Sequence, residues 1–416
     1  MSRWPIYDEE QIAAVAQVLR SGQVNAWTGS HVEDFERAYA THLGRKHAIA
    51  LANGSLALDL ALRIIGLKAG DEVIVTPRSF MASASCVPLA GGVPVFADVD
   101  PDSGNLTADS IASKIGPSTR AIILVHLAGW PCDMEPIAEL AGRHGLWLIE
   151  DCAQAHGAEC GGQPVGSFGD LGVFSFCQDK IITTGGEGGL LALDDDELFE
   201  MAWSFKDHGK SREAASDPDR PPGFRWLHES FGTNFRMTSI QAVLGQIQLG
   251  RLEATREIRA RNASILIDGF RDIPLLRTPT PPVQLRHAWY RFYTFVNPSL
   301  LKPDWNRDRI LSEVQDRGVV CLSGSCPEIY LEKAFTSSGL GPAQRLPQAR
   351  LLGDTSLAFL IDPAQDEPTL ARAVEVVRAV ASEATDPRSL QQPERRSDAA
   401  GRPESKGTRT GRAGNR

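Results

Sequence analysis

Between Gly70 and Leu193 the chain repeats one pattern: a short apolar run, then a polar stretch or a turn. The runs are DEVIVT, VPVFADV, RAIILVHLAG, LWLIED, LGVFSF and GGLLAL. Runs this short and rich in Val, Ile and Phe predict buried strands, and the amphipathic stretch Met134–His144 predicts a helical crossover between them. The fold class that follows is α/β, layered on a mostly parallel sheet. Ahead of it, Asp8–Ser21 and His31–Leu43 carry apolar residues at helical spacing, and Ser55–Ile65 is a third, strongly apolar helix.

After Gly250 the texture changes. A charged helical stretch, LEATREIRARNASILIDGF, is followed by PTPPVQL, by the strand-like WYRFYTFV and, near the end, by the amphipathic TLARAVEVVRAVAS. These predict a connector helix and a smaller α+β domain. The expected division is residues 1–250, 251–385 and a tail, 386–416, in which Leu390 is the sole large aliphatic residue. Such a tail cannot bury enough surface to offset its ordering entropy and is expected to be disordered.

Charge and cysteine content exclude several classes. With 43 Lys+Arg against 52 Asp+Glu the net charge is −9, so the body should repel nucleic acid and anionic membrane. No apolar run approaches the ~18 residues of a membrane helix, and the start MSRWPIYDEEQ lacks a leader pattern, so a cytoplasmic protein is expected. The 7 cysteines form no C-x-x-C pair and stand apart from histidine clusters. They are expected to be reduced and structural, and no metal is expected, Cys321 and Cys326 lacking further ligands.

Three motifs carry chemistry. GLWLIED stops at Asp151, before Cys152-Ala153-Gln154-Ala155-His156-Gly157, and a carboxylate at a strand's carboxyl end in an open α/β sheet is placed for a ligand. The plain alternative is a helix cap. Lys180 stands between the run FSFCQ and the turn TTGGEGG, where apolar surroundings would lower an ammonium pKa and make the amine nucleophilic toward a carbonyl. It could equally be a surface lysine with its stem over apolar neighbours. Ala52-Asn53-Gly54-Ser55 opens a helix, and free amides at a helix start make a phosphate site, although an ordinary N-cap reads the same way. A phosphate cradle, a strand-end acid and an amine together match pyridoxal phosphate.

The order GDEVIVTP, GGVPVFADVD, VHLAGWPCDM, LIEDCAQAHGA, GSFGDLGVFSFCQDKIITTGGEGG and NFRMTSIQA resembles the DegT/DnrJ/EryC1/StrS sugar aminotransferase family, in register from Ile12 to Leu252 and more loosely to Ala381. The resemblance implies the fold type I of pyridoxal phosphate enzymes, with a seven-stranded sheet, and a homodimer whose subunits share the active site. By the same resemblance Lys180 is the lysine that bonds the cofactor and moves the proton, and Asp151 the acid on the pyridine nitrogen. Gln154 lies against the ring or its 3-hydroxyl and Phe80 stacks on it. Ser175, Gly54 and Ser55 hold the phosphate, and Asn234 reaches it from the neighbouring subunit. A branch of sugar 3-dehydratases carries histidine at the position of Lys180, so lysine argues for transamination.

The chain departs from the family pattern after the small-domain strand, where a histidine-containing stretch is replaced by Gly324-Ser325-Cys326-Pro327-Glu328-Ile329-Tyr330. It also carries Phe224-Arg225-Trp226-Leu227-His228-Glu229 after a Pro-rich insertion at 218–223, while Trp27-Thr28-Gly29 resembles the loop lining the sugar site. These positions are expected either to set specificity or simply to pack. His287-Ala288-Trp289-Tyr290 is expected in a small-domain strand without a catalytic role. The activity expected is amino transfer, from L-glutamate, to a keto group of a nucleotide-linked sugar such as a 4-keto-6-deoxyhexose, for a polysaccharide or glycoconjugate. The alternatives are a keto-cyclitol or aminobenzoate-type precursor as acceptor, or a cofactor-binding regulator without turnover.

Overall fold

The computed structural model describes residues 4–217, 219 and 226–391. Strands follow one another as β1 (His47–Leu51), β2 (Glu72–Val75), β3 (Val93–Phe96), β4 (Thr119–Val125) and β5 (Trp147–Asp151). A two-residue hairpin, β6 (Glu159–Cys160) and β7 (Gln163–Pro164), precedes β8 (Leu171–Ser175) and β9 (Gly189–Leu193). Seven of these form one sheet in the order β1-β9-β8-β5-β4-β2-β3. From β8 to β3 neighbours run parallel, and β9 is inserted antiparallel between β1 and β8. All six apolar runs are strands. The strand of this sheet that was not expected is β1, whose HAIAL is too short and alanine-rich to stand out, and whose partner β9 lies about 140 residues later.

Both faces of the sheet are covered, so its central residues, Ile74, Ile122, Ile149 and Leu191, are fully buried. The helices α1 (Glu9–Ser21), α2 (His31–Leu43) and α3 (Gly54–Ile64) lie within a residue of their expected bounds, as does Met134–His144. The charged helix Leu252–Phe270 leads to β10 (Leu276–Arg277), β11 (Leu285–Arg286), β12 (Phe292–Val296), β13 (Cys321–Leu322) and β14 (Ser356–Phe359). Four of these form a second sheet, β10-β12-β14-β13, under the helix Glu367–Ala384. β11 instead returns to the first half of the chain and pairs with β6.

Two expectations are corrected here. His287–Tyr290 is not a strand: Trp289 has φ 55°, and the amides of Ala288 and Tyr290 donate to the carbonyls of Gly129 and Ala128 at 2.8 and 2.9 Å. The segment leaves the small sheet to grip a loop of the large one. The composition break assigns Asp386 onward to the tail, yet the amide of Asp386 donates to the carbonyl of Leu300 at 2.8 Å and Ser389–Gln391 forms a 3-10 turn. The rest of the expected tail, 392–416, lies outside the described residues, as do 218 and 220–225.

A buried carboxylate braces the sheet beside its carboxyl edge. Glu150 accepts from the amides of Phe168 and Gly169 on Oε1 and from Gly166 on Oε2, at 2.7–2.8 Å. His126 Nδ1 accepts from the amide of Cys132, so its Nε2 carries the hydrogen and donates to Glu150 at 3.1 Å. Burial alone would raise Glu150, but His126 and the glycine amides more than reverse this and hold it below the ordinary carboxylate range. His126, Glu150 and Cys152 are near enough to offer a metal three ligand atoms, but Glu150 and His126 already spend theirs on these bonds. Glu150→Gln leaves one oxygen for four donors and should cost about 3–5 kcal/mol in a denaturant melt at pH 7. A lowered native pKa gives stability that is present above the unfolded value near 4.5 and lost as pH falls through the native one, so the gap to wild type should narrow below about pH 4.

Candidate active site

The carboxyl ends of β5 and β8 lie side by side, with Asp151 opposite Val173 in register and Ser175 ending β8. Because side chains alternate across a strand, Glu150 and Asp151 point to opposite faces. Asp151 is 4% exposed. Its Oδ2 accepts from Ser83 Oγ at 2.7 Å and its Oδ1 from the amide of Ala153 at 3.1 Å. Ser83, in the first turn of α4 (Ala82–Leu89), in turn meets the Oγ of Ser79, in the segment ahead of the helix, at 3.0 Å. Burial raises the pKa of Asp151, opposed by the Ser83 and Ala153 bonds and by the nearby charge of Lys180.

Lys180 sits in the turn after β8, where its amide donates to the carbonyl of Cys177 at 3.0 Å. Its side chain is 14% exposed. Nζ lies 3.7 Å from Asp179 Oδ1 and 5.0 Å from the ring centroid of Tyr290. Asp179 is held on its other oxygen by the Tyr290 hydroxyl and by Arg291 at 3.1 Å. Tyr290 thus flanks the amine, a place its sequence context did not suggest. The indole of Trp4 donates to the carbonyl of Lys180 at 2.9 Å, so the chain's amino-terminal end also braces this turn.

The third element is the start of α3. Asn53 caps it, accepting from the amide of Leu56 at 3.0 Å, while the amides of Gly54 and Ser55 lie in the first turn, where no intrahelical acceptor exists. A Cβ on Gly54 would stand 2.7 Å from Ser175 Cβ, so glycine is what lets the helix start approach the end of β8. Ser175 Oγ accepts from the amide of Cys177 at 3.4 Å and keeps its own hydrogen to donate. Below it, Tyr39 and His156 form a buried strut: Tyr39 Oη meets His156 Nδ1 at 2.7 Å and His156 Nε2 donates to the carbonyl of Ser175 at 2.8 Å. Burial pushes His156 down to about 3, so it serves as a neutral spacer.

Gln154 is buried, and its Oε1 accepts from the amide of Ala128 at 2.7 Å, which ties it to the loop gripped by Tyr290. Phe80 is 66% exposed, two residues after Arg78 and three before Ser83. Gly324–Tyr330 abuts this loop, with Cys326 bridging Ser79 and the amide of Ile329 donating to the carbonyl of Pro77 at 2.7 Å. Asn234 is exposed beside Asp207, with its Oδ1 accepting from the amide of Arg236 at 3.2 Å, while the carbonyl of its neighbour Phe235 accepts from the amide of Ala52 at 2.9 Å. Trp27 lies in that same region, under the Lys210 ammonium at 4.1 Å and edge-on to Trp203. Of the segment 224–229, Trp226 is exposed with φ 60° and His228 bridges Lys210. Phe224 and Arg225 are outside the described residues.

An amine, a buried acid and the first-turn amides of a helix at the carboxyl edge of such a sheet are the marks of the pyridoxal phosphate-dependent transferases of fold type I, and the solved neighbours share this architecture. The chain belongs to the DegT/DnrJ/EryC1/StrS aminotransferase family, whose model matches residues 5–378. It is 49% identical to an aminotransferase from Psychrobacter cryohalolentis solved by X-ray crystallography, over 92% of this chain and 99% of that one, with a TM-score of 0.90. GDP-perosamine synthase of Caulobacter vibrioides is 39% identical over 70% of this chain and 75% of its own. DesV of S. venezuelae, solved with a ketimine intermediate, is 32% identical over 91% and 95%, with a TM-score of 0.81.

The raised pKa of Asp151 has a consequence for stability. A carboxyl group whose native pKa lies above its unfolded value contributes fully below the unfolded value, near 3.8, and loses that contribution as pH climbs through the native one. At neutral pH the buried charge is therefore a cost. Asp151→Asn should raise the melting temperature of the cofactor-free protein at pH 7.5 by roughly 2–4 °C, an advantage that shrinks to nothing below about pH 4. A melt at the two pH values in the absence of cofactor checks this.

Proposed function

We propose that this aminotransferase binds pyridoxal 5'-phosphate and moves an amino group from L-glutamate to a keto group of a nucleotide-linked sugar. The observation that carries the reading is the convergence of Lys180 and the buried Asp151 beside the amide cradle of Gly54, Ser55 and Ser175. The donor set suits the cofactor's parts: amides and a hydroxyl for a phosphate, a carboxylate for a ring nitrogen, a primary amine for an aldehyde. When bound, the group supplies the carbonyl that amines condense with and an electron sink for the substrate carbon.

The roles of the chain's own residues follow from their settings. Gly54 and Ser55 present amides, and Ser175 a hydroxyl, to the phosphate. The carboxylate of Asp151, fixed by Ser83 and Ala153, holds the ring-nitrogen proton and brings a negative charge that burial would otherwise disfavour. Gln154 and Phe80 confine the ring's edge and face. Lys180 Nζ takes up and returns the proton at the substrate carbon, with Asp179 and Tyr290 keeping the amine in place. Asn234, exposed in a single chain, completes the phosphate site from a second copy in a homodimer. The keto-sugar assignment leans on the named activity of the GDP-perosamine synthase relative.

Protein reconstituted with pyridoxal 5'-phosphate should show a visible absorption band that L-glutamate bleaches. Borohydride reduction followed by peptide mass spectrometry should find the label on Lys180, and Lys180→Ala should lose roughly a thousandfold or more in turnover of nucleotide-keto-sugars. A label on another residue, or undiminished turnover in that variant, would overturn the mechanism. A panel of keto-sugars and keto-cyclitols then identifies the acceptor by product.

A further inference from the structure

Arg78 is among the largest fully buried side chains, 1% exposed, and neither Nη1 nor Nη2 has a hydrogen-bond partner among the described residues. It faces a void of about 20 Å3 between the two sheets. Gly104, Leu127 and Ala128 wall it on the large-sheet side, and Trp289, Tyr293 and Phe295 on the other. Gly104 has φ 70°, and a Cβ there would stand 2.9 Å from Leu127 Cδ2 and 3.6 Å from Arg78 Nε, so the cradle depends on glycine.

The surrounding charges are already matched. Arg291, which lines the void, pairs with Asp179 at 3.1 Å. Arg307, close enough to oppose the charge on Arg78, pairs with Asp308 at 2.7 Å. Asp102, also in the lining, pairs with Arg277. What Arg78 receives from the protein is the ring of Tyr293, with its centroid 5.5 Å from Cζ. Burial pushes its ionisation down, yet a guanidinium stays protonated at any ordinary pH, so a full charge remains to be met. A water molecule would satisfy N–H groups but leave the charge.

We propose that Arg78 binds a small monovalent anion of halide size in this void, joining the large sheet to the small one through a charge neither supplies. One water needs about 10–15 Å3, so the void has room for a single halide beside the guanidinium. Because the walls come from both sheets, occupancy favours their docked arrangement and should appear as halide-dependent stability.

The test uses the full chain with its cofactor. Sodium gluconate, whose anion is too large for the void, is replaced stepwise by sodium chloride or bromide at constant ionic strength, and the melting temperature is followed. A saturable rise of roughly 2–4 °C with both halides is expected. Arg78→Met should flatten the titration. Crystals grown in bromide should show an anomalous peak ~3.3 Å from the Arg78 Nη atoms, a result that stands even if the variant fails to fold. A flat wild-type titration, or bromide crystals with water or nothing beside Arg78, overturns the proposal.

Discussion

Everything at the candidate site depends on two consecutive carboxylates at the end of β5. Glu150 faces one side of the sheet and is saturated with donors, so it can be both buried and ionised. Asp151 faces the other, with two donors and a burial that resists its charge. One carboxylate spends its charge on fixing the loop 166–169 and His126. The other, in the function proposed above, meets the cofactor's ring nitrogen. The first makes the second tolerable, because the amide of His126 donates to the carbonyl of Asp151 at 3.2 Å and the strand end cannot fray.

Around that strand end the protein assembles parts from distant segments. Trp4 holds the carbonyl of Lys180, Tyr39 supports Ser175 through His156, and Tyr290 and Arg291 fix Asp179. The segment 287–291 crosses from the small sheet to the large one, and the Gly324–Tyr330 loop does so again at Pro77. Movement of the small sheet against the large one would therefore act on the environment of Lys180 and Phe80 together.

The sheet was legible because six of its seven strands lie in continuous apolar runs, as burial on both faces requires. β1 was not, being five residues of modest apolar character paired with a strand far along the chain. Asp151, Lys180 and the Gly54–Ser55 turn could be read because each stands where an apolar run gives way abruptly to polar or glycine-rich sequence. Ser83, Tyr39 and Tyr290 were missed for the opposite reason: each is a common residue type on an ordinary helix or turn, given its role by a partner 68, 117 or 111 positions away. Arg78 was hidden in the same way, since nothing in PRSFMAS says that its guanidinium turns inward.

The bond from the Trp4 indole to the carbonyl of Lys180 places an optical reporter on the Lys180 turn. Indole emission responds to the polarity and hydrogen bonding of its surroundings and is quenched by chromophores that absorb nearby. A change at the Lys180 turn therefore alters the surroundings of Trp4, one of eight tryptophans whose emission the chain reports.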